Sequence, residues 1–364
     1  MRLFQSPSKY PFGINISDHS IAIVQLFRHH HSPAMQTVGI INVPNGFIIN
    51  GEIKNKDGVI KLIKNLKNNT IFGKITTNEA IAALPEKKTF VKLIKIRADE
   101  LDFADAIQKE IERQVPYEIT EINYDWKFIK QENGIQHILV GVAPKAIADE
   151  YHDLLIKSGI TPVAFEPENM SIVRCVVPYN AKNEKTTIIL NIGDKHSNFI
   201  AYAKKSVLFT VSVPMSEKDI TDIITQDLKI MQKKTEKEKI TANYNKERSQ
   251  KVVNEMLETK IRQAFDYLNT NYPQYAKIGG IYLCGGGSVV DLPKMLADKF
   301  NAFVEPADVF VNLKQTAAMK KKYFAKENNF IKKIAKNNEQ KQDFILALTA
   351  AIGLALRGFY HDDL

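Results

Sequence analysis

Two stretches far apart in the chain repeat one pattern, and a chain that carries it twice has few folds open to it. Gly13–Leu26 reads GINISDHSIAIVQL: a strand through Ile14 and Ile16, a reversal at Asp18-His19, and a second strand through Ile21, Ile23 and Val24. Leu190–Tyr202, LNIGDKHSNFIAY, repeats it, with Asn15 falling on Asn191, Ile16 on Ile192, Ser17 on Gly193 and Asp18 on Asp194. Two such hairpins predict a duplicated fold with two facing lobes, and 364 residues are enough to give each lobe its own core. A turn presenting backbone N–H groups from each lobe is a natural place to hold phosphates.

Composition narrows the class of partner. Hydrophobic content of 44% and charged content of 25% are ordinary for a soluble globular chain. The net charge of +9 is mostly Lys. No aromatic-interleaved basic motif, zinc pattern or helix-turn-helix accompanies it, which disfavours nucleic acid, and Lys-rich solvated faces account for the excess. Cys175 and Cys284 both lie in apolar surroundings, as free thiols of a reducing compartment do. The start, MRLFQSPSKY, lacks the apolar core of a signal peptide, and the apolar run Phe344–Leu356 is too short to span a bilayer. Membrane contact is therefore expected through a partner or a surface.

Residues 11–43 predict a three-stranded meander with His29-His30-His31 at its second reversal. Consecutive histidines on extended chain point to opposite faces, so a solvated turn is favoured over a metal site. Asn55–Leu66 predicts an amphipathic helix, and Glu79–Leu84 a buried strand. After Pro85 the pattern changes. Strand 89–96, a helix capped by Asp99 and stopped by Pro116, strands 124–130 and 135–142 around Asn133-Gly134, helix 145–157 and strand 160–165 form a β-α-β-β-α-β module. The stripe expected on its first helix is Leu101, Ala104, Ile107, Ile111 and Val115.

From Thr186 the meander returns as 186–192, 197–204 and 206–213, followed by helices at 216–231 and 252–268. Strand Ile278–Cys284 then leads through Gly285-Gly286-Gly287-Ser288 to a helix near Asp291-Leu292-Pro293, the arrangement that receives a nucleotide. Residues 313–341 are rich in Lys and read as a solvated excursion. Asp343–Arg357 predicts a small-residue helix, apolar nearly all round and packed closely on a sheet.

Duplicated meanders, two hairpin phosphate loops and a glycine-rich loop resemble the α/β actin-like ATPase (actin/Hsp70/sugar-kinase) duplicated fold. Within it, GINISDHSIAIVQL, PNGFIINGEI, RADELDFADAIQKEIERQVPYEITEINYDW, IYLCGGGSVVDLPKML and AIGLALRGF resemble the PilM family of type IV pilus assembly proteins, relatives of the division protein FtsA. The resemblance implies four subdomains: 1A from 1–84, 166–180 and 342–364; an FtsA-like inserted α+β module, 1C, from 85–165; 2A from 186–216 and 279–341; and 2B from 217–278. It implies ATP or ADP in a central cleft and a PilN-like inner-membrane partner, whose N-terminal cytoplasmic peptide lies in a groove of 1A and 1C. The protein would then be cytoplasmic, recruited to the inner face of the inner membrane, part of the pilus alignment subcomplex and able to form a homo-oligomer.

The family's first loop reads D-x-G-S-S-x-x-K. Here Asn15 replaces the Asp, Ser17 the Gly, Asp18 and His19 the two Ser, and Ala22 the Lys. Asn191 stands where the second loop's Asp belongs, Gly193 remains, and Asp194 repeats the acid. Mg²⁺ needs anionic oxygens, which amides do not supply. A carboxylate aimed at phosphate costs on the order of several kcal/mol at contact distance. Phosphoryl transfer rests on positioning and cationic stabilisation, so a cleft without hydrolysis and with weak Mg²⁺ binding is expected. On the adenosine side, Gly285, Gly286, Gly287 and Ser288 are intact. Glu236 and Lys239 match the family's E-x-x-K, or belong to a charged surface helix. An active pilus ATPase and an FtsA-like division protein remain the alternatives. Against the second, the chain ends GFYHDDL without a basic amphipathic helix.

Overall fold

The structure is a computed structural model that describes residues 10–181, 185–192, 197–213, 259–285, 292–314 and 338–360. The chain divides into two compact units, one of residues 1–181, 205–209 and 308–364, the other of 182–204 and 210–307.

The first unit is founded on the hairpin of β1 (Phe12–Ile16) and β2 (Ser20–His29), which β3 (Ser32–Asn42) extends into the expected meander. The β2–β3 reversal places both His30 and His31 at positive φ, 46° and 68°, the two-residue turn whose twist matches that of its strands. A small hairpin of β4 (Ile48–Ile49) and β5 (Glu52–Ile53) turns the same way at Asn50-Gly51. Helix α1 (Lys56–Asn68) starts where the Asn55 side chain accepts the Gly58 N–H at 2.9 Å, and it buries Val59, Ile63 and Leu66. Strand β6 (Glu79–Leu84) runs parallel to β1.

The inserted module is a three-stranded antiparallel sheet, β7 (Phe90–Arg97), β9 (Ile135–Pro144) and β8 (Ile122–Glu132) in that spatial order, with β8 outermost. Asn133-Gly134 turns β8 into β9 at positive φ, as the sequence predicts. Helix α2 (Phe103–Gln114) covers one face, closing a core of Ile94, Ile96, Ile107, Ile111, Ile138 and Val140. Its start lies three residues beyond the expected cap. Asp102 accepts the Asp105 N–H at 3.0 Å, while both Asp99 oxygens take the Arg97 guanidinium at 3.0 and 3.1 Å. Leu101 and Ala104 consequently stay exposed, and Phe103 and Ala106 replace them on the buried stripe.

Helix α3 (Lys145–Lys157) has the expected bounds, and Gly159 ends it at φ 74°. The strand after it does not complete the module, contrary to the β-α-β-β-α-β reading. β10 (Thr161–Pro167) runs parallel to β6, giving a five-stranded sheet in the order β10-β6-β1-β2-β3. The cause is the apolar face of α3: Tyr151, Leu154 and Leu155 pack with Val59 and Ile63 of α1, so the helix lies on the first sheet and carries its strand there. Helix α4 (Glu168–Val176) follows.

In the second unit β11 (Thr186–Ile192) pairs antiparallel with β12 (Ser197–Ala203) and parallel with β14 (Ile278–Gly285), which pairs parallel with β15 (Val304–Pro306). The same pattern holds for β1 with β2, β6 and β10. Even the register repeats, Asn15 facing Ala22 and Asn191 facing Asn198. Lys204-Lys205, again at positive φ, lead into β13 (Ser206–Val213), whose first residues, 206–209, belong to the first unit, where Phe209 pairs with Lys92 of β7. Residues 259–271 form helix α5, burying Ile261, Ala264 and Leu268, and α6 (Leu292–Phe300) follows β14. The expected helix 216–231 and most of the 313–341 excursion lie outside the described residues.

The last helix, α7 (Asn338–Tyr360), returns to the first unit as the small-residue pattern predicts. Ala350, Ala351, Ala355 and Gly353 let it press on β1 and α4. A Cβ on Gly13 would sit 2.1 Å from the Ala351 carbonyl oxygen, and one on Gly353 1.8 Å from that of Ser171.

Candidate functional site

The first hairpin turn holds its polar groups against its own surroundings. Asn15 is buried near the end of β1, and its Nδ2 donates to Glu168 Oε1 at 3.0 Å. The Ser17 hydroxyl donates to the Ser20 carbonyl at 3.0 Å and accepts the Ser20 N–H at 3.1 Å, closing a tight turn on itself. Asp18 is bound to the protein's own backbone. Its Oδ2 and Oδ1 accept the Asn50 and Gly51 N–H groups at 2.7 and 2.9 Å, because the left-handed turn there presents both to it. Tyr151 donates to the Gly51 carbonyl at 3.0 Å and fixes that turn from below. Burial pushes the Glu168 carboxyl above its ordinary range, the Asn15 hydrogen bond opposes this, and the charge of Asp18 adds to it.

Asn15 is thus paired to a carboxyl that resists ionisation, and Ala22, opposite it on β2, is fully buried. In the second unit Asn191 is also buried, and its Oδ1 has no hydrogen-bond partner among the described residues. Gly285 is the last residue of β14. Gly193, Asp194, Glu236, Lys239, Gly286, Gly287 and Ser288 lie outside the described residues. Both cysteines are buried and free, and burial raises the Cys284 thiol to about 12. Among the described residues no three His, Cys, Asp or Glu could hold a metal, and no helix is long and apolar enough to cross a membrane.

A groove in the first unit has no sequence motif. The face of the module opposite α2 carries Val91, Leu139, Gly141 and Asp125, and it looks across a groove of about 520 Å³ at Phe165, Met170, Arg174 and Arg357. The floor is mostly apolar. Nothing stands within 4 Å of where a Cβ on Gly141 would be, so this residue alone leaves the middle of the groove open. One wall is an ion triad. Arg174 grips Glu166 through both its terminal nitrogens, Nη1–Oε1 at 2.6 Å and Nη2–Oε2 at 3.1 Å, and Arg357 Nη1 reaches Oε2 at 3.1 Å. Arg174 also donates to the Gly353 carbonyl at 3.2 Å, so β10, α4 and α7 are locked together where the groove needs a rigid side. Trp126 lines the mouth and stacks edge-on against Phe103 of α2, with centroids 5.5 Å apart. The lone glycine inside the apolar run of β9 was the one signal in the sequence for this site.

The model of the family described as type IV pilus assembly protein PilM matches residues 13–359. No curated protein matches the chain. Among solved structures, the PilM-PilN type IV pilus biogenesis complex is similar over 97% of this chain and 99% of that one, with 18% identity and a TM-score of 0.72. The ethanolamine utilization protein EutJ from Carboxydothermus hydrogenoformans is similar over 96% and 90%, with 13% identity and a TM-score of 0.50. These likenesses show the actin-like fold that the two repeated sheets describe. With the family model spanning both units, the chain belongs to the PilM family of type IV pilus assembly proteins.

Proposed function

We propose that this protein is a non-hydrolysing actin-like scaffold that binds the N-terminal cytoplasmic peptide of a PilN-like inner-membrane protein, and so sits at the inner face of that membrane in the pilus alignment subcomplex. The observation that carries the reading is the groove between the module and β10, α4 and α7. Its volume, apolar floor and rigid charged wall suit a short extended segment with apolar anchors. The solved PilM-PilN complex supports the choice of partner.

The state of the first turn supports a scaffold over an ATPase. A catalytic turn presents its donors to phosphate, whereas Ser17 and Asp18 here are committed to the protein's own backbone. Any ATP or ADP would be held through the adenosine side, without a well-bound Mg²⁺.

Gly141→Val tests the groove. A valine suits a strand, and its side chain would fill the space facing Asp125 and Val91. The expected result is unchanged or slightly raised thermal stability with loss of binding to a synthetic PilN N-terminal peptide in calorimetry. Undiminished binding would exclude the groove. Magnesium-dependent phosphate release by the purified wild type would exclude the scaffold reading.

A further inference from the structure

The chain as a whole is basic, with a net charge of +9, yet residues 97–125 carry nine carboxylates against three cations. This segment is α2 with the loops on either side of it, next to the mouth of the groove. Among its acids, Glu100, Asp102, Glu112, Glu118 and Glu121 are exposed and make no ion pair among the described residues. The same module also exposes apolar side chains. Leu101 stands fully exposed, Trp126 is 44% exposed and Phe128 49%, the last two pointing from the outermost strand toward the α2 side of the sheet. Asp102 caps α2, but folding does not call for the other four unpaired carboxylates, because their mutual repulsion opposes it. A bound basic segment would relieve the repulsion and cover the rings, which also attract cations.

Trp126 lies on the outermost strand between the two surfaces: the residue borders the groove, and its ring stacks on Phe103 of α2 on the other face. A chain leaving the groove past β8 therefore runs directly onto the acidic face. If the occupant of the groove is the cytoplasmic end of a membrane protein, the residues between it and the bilayer obey a general bias. Short cytoplasmic segments within about 15–20 residues of a span are enriched in Lys and Arg. We infer that the acidic face of α2 with the Trp126–Phe128 patch is a second docking surface, which receives the basic juxtamembrane stretch of the same tail whose end fills the groove. This rests on the groove reading above. It assigns α2 a role in orienting the scaffold: the acidic face turns toward the basic, membrane-proximal part of its partner, and its charge keeps it off anionic lipid.

The test is calorimetry on the full chain with two synthetic peptides from a PilN-like cytoplasmic tail, one holding only the N-terminal segment and one continued to the start of the membrane span. At roughly 50 mM salt the longer peptide should bind about tenfold more tightly, and at roughly 500 mM the advantage should vanish. In Glu112→Lys/Glu118→Lys/Glu121→Lys the advantage should be lost while the short peptide binds as to wild type, which also reports an intact fold. Phe128→Ser should reduce the advantage alone. Equal affinities at low salt, or an advantage that survives the triple reversal, would overturn the inference. If only the long peptide binds, and the triple reversal abolishes it, the groove reading falls and the acidic face stands. If neither binds, both fall.

Discussion

Replacing Gly353 with alanine separates close packing from helix propensity, because the two push stability in opposite directions. In a solvated helix the change would stabilise by about 1 kcal/mol. Here the new Cβ would lie 1.8 Å from the Ser171 carbonyl oxygen, 2.5 Å from its carbon and 2.9 Å from its Cα, all backbone atoms that cannot swing aside. Contacts under 3.0 Å are essentially never found, so α7 and α4 must separate by more than an ångström. That shift would also pull the Gly353 carbonyl away from Arg174, which now holds it at 3.2 Å, and disturb the grip on Glu166. Overpacking of this kind costs about 3 kcal/mol or more, so the net destabilisation after the regained propensity is about 2 kcal/mol or more. For a compact unit of this size the melting temperature should fall by roughly 4–8 °C. Thermal unfolding followed by circular dichroism reads it directly, with Gly141→Ala, whose Cβ meets nothing, as the control. A Gly353→Ala protein as stable as wild type would refute the close approach of α7 to α4.

Two further outcomes follow from local geometry. The Glu168 carboxyl is raised above its ordinary value of 4.5, chiefly by burial, so the stability its neutral form confers is fully present below that pH and is lost as pH rises through the folded value. Glu168→Gln keeps an acceptor for Asn15 and never ionises, so its urea midpoint should gain on wild type between pH 4 and pH 8; a gap that shrinks over that range would show the carboxyl to be stabilised as an anion. At the β2–β3 turn both central residues have positive φ without a glycine, so His30→Asn with His31→Gly should stabilise by about 0.5–1 kcal/mol in the same urea assay, and a destabilised double variant would mean the imidazoles hold the turn.

The parts of the fold legible in the sequence were those decided by neighbours in the chain. Alternation of apolar residues predicted β1, β2 and β3, Asn133-Gly134 predicted its hairpin, and the apolar stripe of 145–157 predicted α3. The start of α2 was misplaced because Asp99 and Asp102 are chemically equal caps, and only the distant requirement to seat Phe103 and Ile107 in the module core chooses the second. β10 was assigned to the wrong sheet for a related reason: its own pattern is satisfied beside either edge, and the face of α3 decides. The loss of charge and glycine in the first turn could be read directly. Where Asp18 points could not, since its donors come from a turn more than thirty residues away. The groove is the extreme case. Asp125, Gly141, Glu166, Arg174 and Arg357 come from five separate elements, so no spacing could announce them.

The close seat of α7 has a consequence for biosynthesis. Arg357 and the Gly353 carbonyl, which complete the groove's charged wall, reach the ribosome's exit only after the module and the first sheet have been made. A nascent or truncated chain lacking α7 has a Glu166–Arg174 pair without its Arg357 and Gly353 partners, and an uncovered β1–β2 surface. With the function proposed above, recruitment through the groove would act as an inspection step, admitting to the membrane only molecules whose synthesis has run past residue 357.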